Sequence, residues 1–277
     1  MSGAPAARHR APATGAASRL AGSLGEVLDL ALARVCGGCG TAGTRWCAGC
    51  AEELTGPLLR RGLGPTGAMG STSSAGPPHS TGSAGGDADV PLEVWSAAPY
   101  EGAVRTALVA WKDHDRPDLT AVLAVAVHRA ARAALARLPA PDGSVDPPLI
   151  VVPAPSSRSA RRSRGWQPVP GLARRTAGGL ARRGTPAGAR MLPVLVQRAG
   201  VRDQSSLDAD ERDANLNGAL WVPPSWRAHL RGRPCLLLDD VVTTGATLRE
   251  GARALREAGA GPVVAATVAT TVLRRSR

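Results

Sequence analysis

A chain of 277 residues has room for one medium-sized α/β domain and smaller additions. Hydrophobic residues make up 43% of it but aromatic residues only 3%, with no Phe, so any core must be built from Val, Leu and Ala. The net charge of +12 rests almost wholly on Arg and favours anionic partners, either phosphate-bearing small molecules or nucleic acid. No apolar run approaches the ~18 residues of a membrane-crossing helix, which excludes that class of protein.

Residues 1–20 are Ala, Pro, Ser and Arg without periodicity and are expected to be disordered. Glu26 and Asp29 interrupt the apolar stretch that follows, so it does not read as a signal peptide. Leu24, Val27, Leu28 and Leu32 instead suggest a short helix leading into Cys36-Gly-Gly-Cys39 and Cys47-Ala-Gly-Cys50. Two such knuckles let four thiolates converge on Zn²⁺, with no open coordination position, so the metal would be structural. Two disulfides are the competing use. The lack of a signal peptide favours a reducing, cytoplasmic compartment and hence zinc. This unit is taken as residues 21–55.

Residues 56–90 are rich in Gly, Ser, Thr and Pro and read as a flexible linker. Structure is expected again over 91–277. Leu92 to Ala98 reads as a strand, and Tyr100-Glu-Gly102 turns into a helix that ends at the charged cluster Lys112-Asp-His-Asp115. A long Ala-rich helix is expected over 119–138, then a core strand at Leu149-Ile-Val-Val152. No acidic residue occurs between Asp146 and Asp203, while arginines recur. That one-sided charge suggests an anion-binding wall, with Arg158 to Gly165 directly after the strand. Residues 198–217 read as a long polar loop between strands at 192–196 and 219–222, a candidate lid.

The stretch Cys235-Leu-Leu-Leu-Asp-Asp-Val-Val-Thr-Thr-Gly-Ala-Thr247 carries the strongest signal. An apolar run of four residues suggests a buried parallel strand, with Asp239 and Asp240 expected at its end. Backbone N–H groups around Gly245 and the start of the next helix (about 248–258) would face an anion, with Thr243, Thr244 and Thr247 adding hydroxyl donors. Carboxylates beside such a cradle would repel phosphate, so they should meet ribose hydroxyls. An ATPase reading of Asp-Asp needs a Gly-x4-Gly-Lys-Ser/Thr loop, and the one lysine, Lys112, follows Trp111. Cys235 reads as a core thiol, and 263–272 as a final strand.

Two acids followed by Thr-Thr-Gly-x-Thr resemble the PRPP-binding motif of type I phosphoribosyltransferases. Together with the cysteine knuckles, Tyr100-Glu-Gly, Val152-Pro-Ala-Pro155, Arg161 to Trp166 and Gln204 to Asn215, the chain resembles the ComF family. These competence-associated proteins join a zinc finger to a phosphoribosyltransferase domain. The resemblance implies a type I phosphoribosyltransferase fold, an α/β fold with a parallel sheet flanked by helices, after a small zinc-knuckle domain. It implies that Asp239 and Asp240 are catalytic and hold the ribose hydroxyls, within a PRPP loop of Asp239, Asp240, Val241, Val242, Thr243, Thr244, Gly245, Ala246 and Thr247. Arg161, Arg164 and Gly165 would lie near pyrophosphate with Mg²⁺, and Gln204 and Arg212 would belong to the lid. The implied reaction displaces pyrophosphate from PRPP by a nitrogen nucleophile. The alternative is a non-catalytic module that senses PRPP or a phosphoribosylated nucleotide, or that binds single-stranded DNA or DNA-uptake proteins. A homo-oligomer is compatible with either.

Overall fold

The computed structural model describes residues 35–64, 90–114, 116–138, 147–156, 167–183, 188–198 and 218–272. The stretches expected as an N-terminal tail and leading helix, the arginine loop with Arg161, Arg164 and Gly165, and the lid with Gln204 and Arg212 lie outside the described residues.

A six-stranded sheet organises the domain. Its strands are β1 (Leu59–Leu63), β2 (Leu92–Pro99), β3 (Leu149–Pro153), β4 (Ala189–Met191), β7 (Cys235–Val242) and β8 (Val263–Thr270), in the order β1-β2-β8-β7-β3-β4. All neighbours are parallel except β1, which runs antiparallel to β2 on one edge. Parallel strands covered on both faces read as continuous apolar runs, which is why Cys235 to Leu238 shows no alternation. In space the alternation is present: Leu236 and Leu238 enter one core, while Cys235 and Leu237 enter the other.

On the first face lie α2 (Gly102–Asp113), α3 (Thr120–Leu135) and α4 (Pro168–Arg183). In α3 the contact side is Ala126, Val127, Ala130, Ala131 and Ala134, all buried, so small side chains replace the missing aromatics. On the second face lies α6 (Ala246–Glu257), where Leu248, Gly251, Ala252 and Leu255 form an i, i+3, i+4, i+7 stripe. The short α5 (Pro224–Leu230) buries Leu230 in the same core. No described helix is long and apolar enough to cross a membrane.

Three expectations from sequence are corrected. Residues 59–63, placed in a flexible linker, form β1; the strand is short and polar on one side, and only pairing with β2 orders it. A single strand over 192–196 gives way to β4 and β5 (Val196–Gln197), because Pro193 has no N–H to continue a ladder. Helix α4 was not anticipated. Its buried positions Val169, Leu172, Ala173, Thr176, Ala177 and Leu180 do follow the helical period, beneath a composition of Pro, Gly and Arg that reads as loop.

Strand β5 pairs with β6 (Leu220–Trp221) as a small separate hood. It is fastened by an ion pair. Glu250 of α6, its side chain 4% exposed, accepts from the Leu220 N–H at 3.0 Å and is gripped by both the Nε and Nη2 of Arg253. Arg253 Nη2 also donates to the Leu220 carbonyl at 3.1 Å. Arg253→Met should strand this buried carboxylate and cost about 3 kcal/mol. The check is urea denaturation, with a lowered midpoint and an unchanged slope expected.

Candidate functional site

Where β3 ends, β7 continues. The β3–β7 ladder stops at Pro153 opposite Leu238, with a last bond from the Ala154 N–H to the Leu238 carbonyl at 2.8 Å. Pairing with β8 carries on to Val242 opposite Thr270. Residues 239–242 therefore form a one-sided overhang at the carboxyl edge of the sheet, the usual place for ligands in open α/β folds. The expectation that the acids sit at the end of a strand needs this adjustment: they lie inside β7, past the end of its β3 partner.

Successive side chains of a strand point to opposite faces, and this separates the two acids. Asp239 lines a small pocket with Val241 and the 243–248 turn. Asp240 is 3% exposed and forms an ion pair with Lys112, at the end of α2 on the other face. Each carboxylate also binds a neighbouring N–H: Asp239 Oδ1 accepts from Asp240 at 2.9 Å, and Asp240 Oδ1 from Val241 at 2.8 Å. Burial pushes the Asp239 carboxyl up to about 6, although the Lys112 charge opposes the shift.

The pocket wall is the turn into α6. Gly245 occupies the left-handed region at φ 85° as the residue before α6, where a side chain would be strained. A Cβ there would also lie 2.4 Å from Leu63 of β1. Thr244 Oγ1 accepts from the Ala246 N–H at 3.3 Å. Two arginines brace the loop from behind: Arg61 donates to the Thr243 carbonyl, and Arg249 Nη1 to the Thr244 carbonyl at 3.2 Å. Burial and the neighbouring Arg249 charge both hold the Arg61 pKa down.

Lys112, Arg61 and Leu63 were missed in the sequence. Lys112 read as part of a solvated helix end, and the other two as linker. The signal for Lys112 was present, since it is the one lysine in a chain that otherwise uses Arg. An ammonium is a compact charge on a flexible stem, suited to a narrow approach to one buried carboxylate.

A second cluster lies at the other end of α2. The sulfurs of Cys36, Cys39, Cys47 and Cys50 all lie within 4.8 Å of one another, with Cys39 and Cys47 at 3.6 Å. Tetrahedral ligands at a Zn–S distance of 2.3 Å are about 3.8 Å apart, so the four thiols fit one zinc ion. Burial raises the Cys36 thiol, but the N–H groups of Cys39, Cys47 and Gly38 outweigh it and bring the group down to about 6. Burial and the crowding thiols push Cys50 up instead. Such a set ionises fully only around a cation. Cys235 is fully buried in the core, where burial raises its thiol to about 12, as expected of a core residue.

The knuckle docks on the domain. A Cβ on Gly38 would lie 2.7 Å from both Ala103 of α2 and the Cys50 sulfur. Glu53, on α1 (Ala48–Thr55), accepts from the Ala103 N–H at 3.0 Å at the start of α2. Arg129 of α3 donates to the carbonyls of Leu54 and Gly56 at 2.6 and 2.9 Å, and Arg116 to that of Val35 at 3.0 Å.

Residues 179–276 match the family described as Phosphoribosyl transferase domain, a span that holds β7, the turn and α6. The fold is that of a phosphoribosyltransferase domain. It is 37% identical over 75 residues to the adenine phosphoribosyltransferases of Mycobacterium avium (strain 104) and Mycolicibacterium paratuberculosis (strain ATCC BAA-968 / K-10). The aligned stretch covers 27% of this chain and 42% of each relative, so the chain spans about two fifths of those curated relatives.

Removing Lys112 should leave the Asp240 carboxylate buried without a counter-ion. Because the ammonium end is partly exposed, Lys112→Met should cost about 3 kcal/mol, the low end for a broken buried pair. Asp240→Asn in the same background should recover much of the loss, measured as a double-mutant cycle in urea.

Proposed function

We propose that the protein binds PRPP and transfers its phosphoribosyl group to a nitrogen acceptor, with release of pyrophosphate. The observation that carries this reading is the overhang of β7, which sets Asp239 beside a Thr-Thr-Gly turn at the start of α6. The turn's N–H groups and threonine hydroxyls suit the 5-phosphate. Arg61 and Arg249 add positive charge behind it. Asp239 accepts hydrogen bonds from a ribose hydroxyl. Asp240 is the second acceptor, reached when Lys112 turns toward the incoming pyrophosphate. As the bond to pyrophosphate breaks, positive charge builds on the ribose ring, and the two carboxylates stabilise it.

Magnesium would neutralise the departing pyrophosphate and would arrive bound to it. Among the described residues the four cysteines are the one cluster suited to holding a metal by itself. Arg161, Arg164 and Gly165 are proposed at the pyrophosphate, and Gln204 and Arg212 in a lid that excludes water.

Resemblance to the ComF family connects this chemistry to DNA uptake. The buried Lys112–Asp240 pair favours a second reading, in which one acid serves structure and the fold senses PRPP without turnover or handles single-stranded DNA and its protein partners. Calorimetric titration with PRPP and Mg²⁺ decides whether the site works. Wild type should bind in the micromolar range, and Asp239→Asn/Asp240→Asn should not; absence of wild-type binding would overturn the proposal. Pyrophosphate release on screening acceptor bases then separates transfer from sensing.

The raised Asp239 pKa sets a pH signature. The carboxylate form accepts the hydroxyls, so PRPP affinity should be level above pH 6 and fall about tenfold per unit below it. Asp239→Asn should flatten the part of this profile not shared with the phosphates of PRPP. Stability of the unliganded protein should move the opposite way. The folded state holds the proton up to about pH 6 and the unfolded chain only to about pH 4, so stability declines as pH rises through that window.

Zinc is proposed as a structural ion. Cys36→Ser/Cys39→Ser should lower the melting temperature and release bound zinc, read by metal analysis of the purified protein. An unchanged melting temperature would count against it.

A further inference from the structure

Helices α3 and α4 pack side by side on the first face of the sheet, and between their outer surfaces lies a cavity of about 900 Å³. Arg129, Arg132, Arg174, Arg175 and Arg182 line it, and among the described residues no acidic side chain does. Arg129 is committed to the Leu54 and Gly56 carbonyls. The other four are exposed, and among the described residues none of them has a carboxylate partner. Arginines elsewhere in the fold do find one, as in Arg60–Glu93, Arg116–Asp118 and Arg253–Glu250. Like charges facing across a cleft destabilise it unless an anion intervenes.

The floor is apolar and low, formed in part by Ala121, Ala124 and Gly178. Glycine inside a helix costs roughly 0.5–1 kcal/mol relative to alanine and usually has a reason. For Gly179 the reason is packing, because a Cβ would lie 3.1 Å from the His128 ring. For Gly178 it is not: a Cβ would meet only the end of the Arg182 side chain, at 3.5 Å. Its bare backbone faces the cavity instead.

The size falls within the range of small-molecule sites. Among the described residues no Trp, Tyr or Phe lines the cleft, and its one imidazole, His128, packs against Gly179, so it lacks the broad stacking platforms on which single-stranded nucleic acid is held. Guanidinium groups on both walls match the oxygens of linked phosphates. We propose that the α3–α4 cleft is a second anion site that binds a small ligand carrying linked phosphates, such as a nucleoside triphosphate or a linear oligophosphate, apart from the PRPP loop.

The test uses full-length protein carrying Thr243→Glu, whose carboxylate in the exposed turn repels phosphate, so that the β7 site does not contribute. Inorganic tripolyphosphate and ATP are titrated separately by calorimetry at 150 mM salt. The expected result is saturable one-to-one binding that Arg174→Gln/Arg182→Gln weakens about tenfold or more. Equal affinity for the two probes would assign recognition to the phosphates alone. Tighter binding of ATP would add the floor as a base site. Gly178→Met serves as the second variant: it should fill the cleft, retain or raise the melting temperature, and weaken binding by a similar factor. No saturable binding of either probe, or binding that both folded variants leave unchanged, would overturn the proposal. So would single-stranded DNA binding that the arginine variant removes while neither phosphate probe binds.

Discussion

The ion pair between Lys112 and Asp240 ties the halves of this protein together. A carboxylate 4% exposed under a parallel sheet cannot stay charged without a partner. The partner comes from α2, which sets where that helix must lie. Trp111, fully buried one residue earlier and bonded to Thr120 through its indole N–H at 2.9 Å, holds the end of the helix in place. Asp239, one residue away, is free of this constraint and opens to the pocket. One buried charge therefore decides which of two adjacent acids faces the pocket.

The cysteine knuckle bears on the same helix from its other end. Glu53 caps the start of α2, the Cys50 sulfur packs close to Gly38, and Arg116 and Arg129 hold the knuckle backbone through its carbonyls. These are contacts made by main chain and short side chains, which tolerate little displacement. A metal that orders the knuckle would also order the entrance to α2, and α2 ends at Asp240. The cysteine knuckle and the candidate site thus share one rigid element, although nothing in the chain order suggests their association.

Charge is distributed by function as well as by composition. Arg61 of β1 and Arg249 of α6 point at loop carbonyls and leave a positive rear wall behind the Thr-Thr-Gly turn. Arg132, Arg174, Arg175 and Arg182 of α3 and α4 face a cleft that holds no acid among the described residues. Residues 147–202 contain eleven arginines and no acidic residue, so the first face, which carries α4, receives a field that no ion pair among the described residues of that stretch cancels. The acids that do occur are used for architecture, most plainly Glu250 in fastening the β5–β6 hood.

The local string of residues 235–247 determined by itself the strand, the turn, the helix start and the likeness to phosphoribosyltransferases, because each depends on neighbours in sequence. The four cysteines were equally legible, since knuckle spacing fixes what they can ligate. Long-range partners were not. Lys112 looks like any solvated helix end until the fold brings Asp240 to it across 128 residues. Arg61 and Leu63 look like linker until β1 pairs with β2 beside the turn. Helix α4 carries its period under Gly and Pro, whose local preferences argue against a helix, and only burial against the sheet overrides them. Burial and charge pairing are properties of the folded surface, and tertiary structure alone decides which polar side chains it leaves in water and which it encloses.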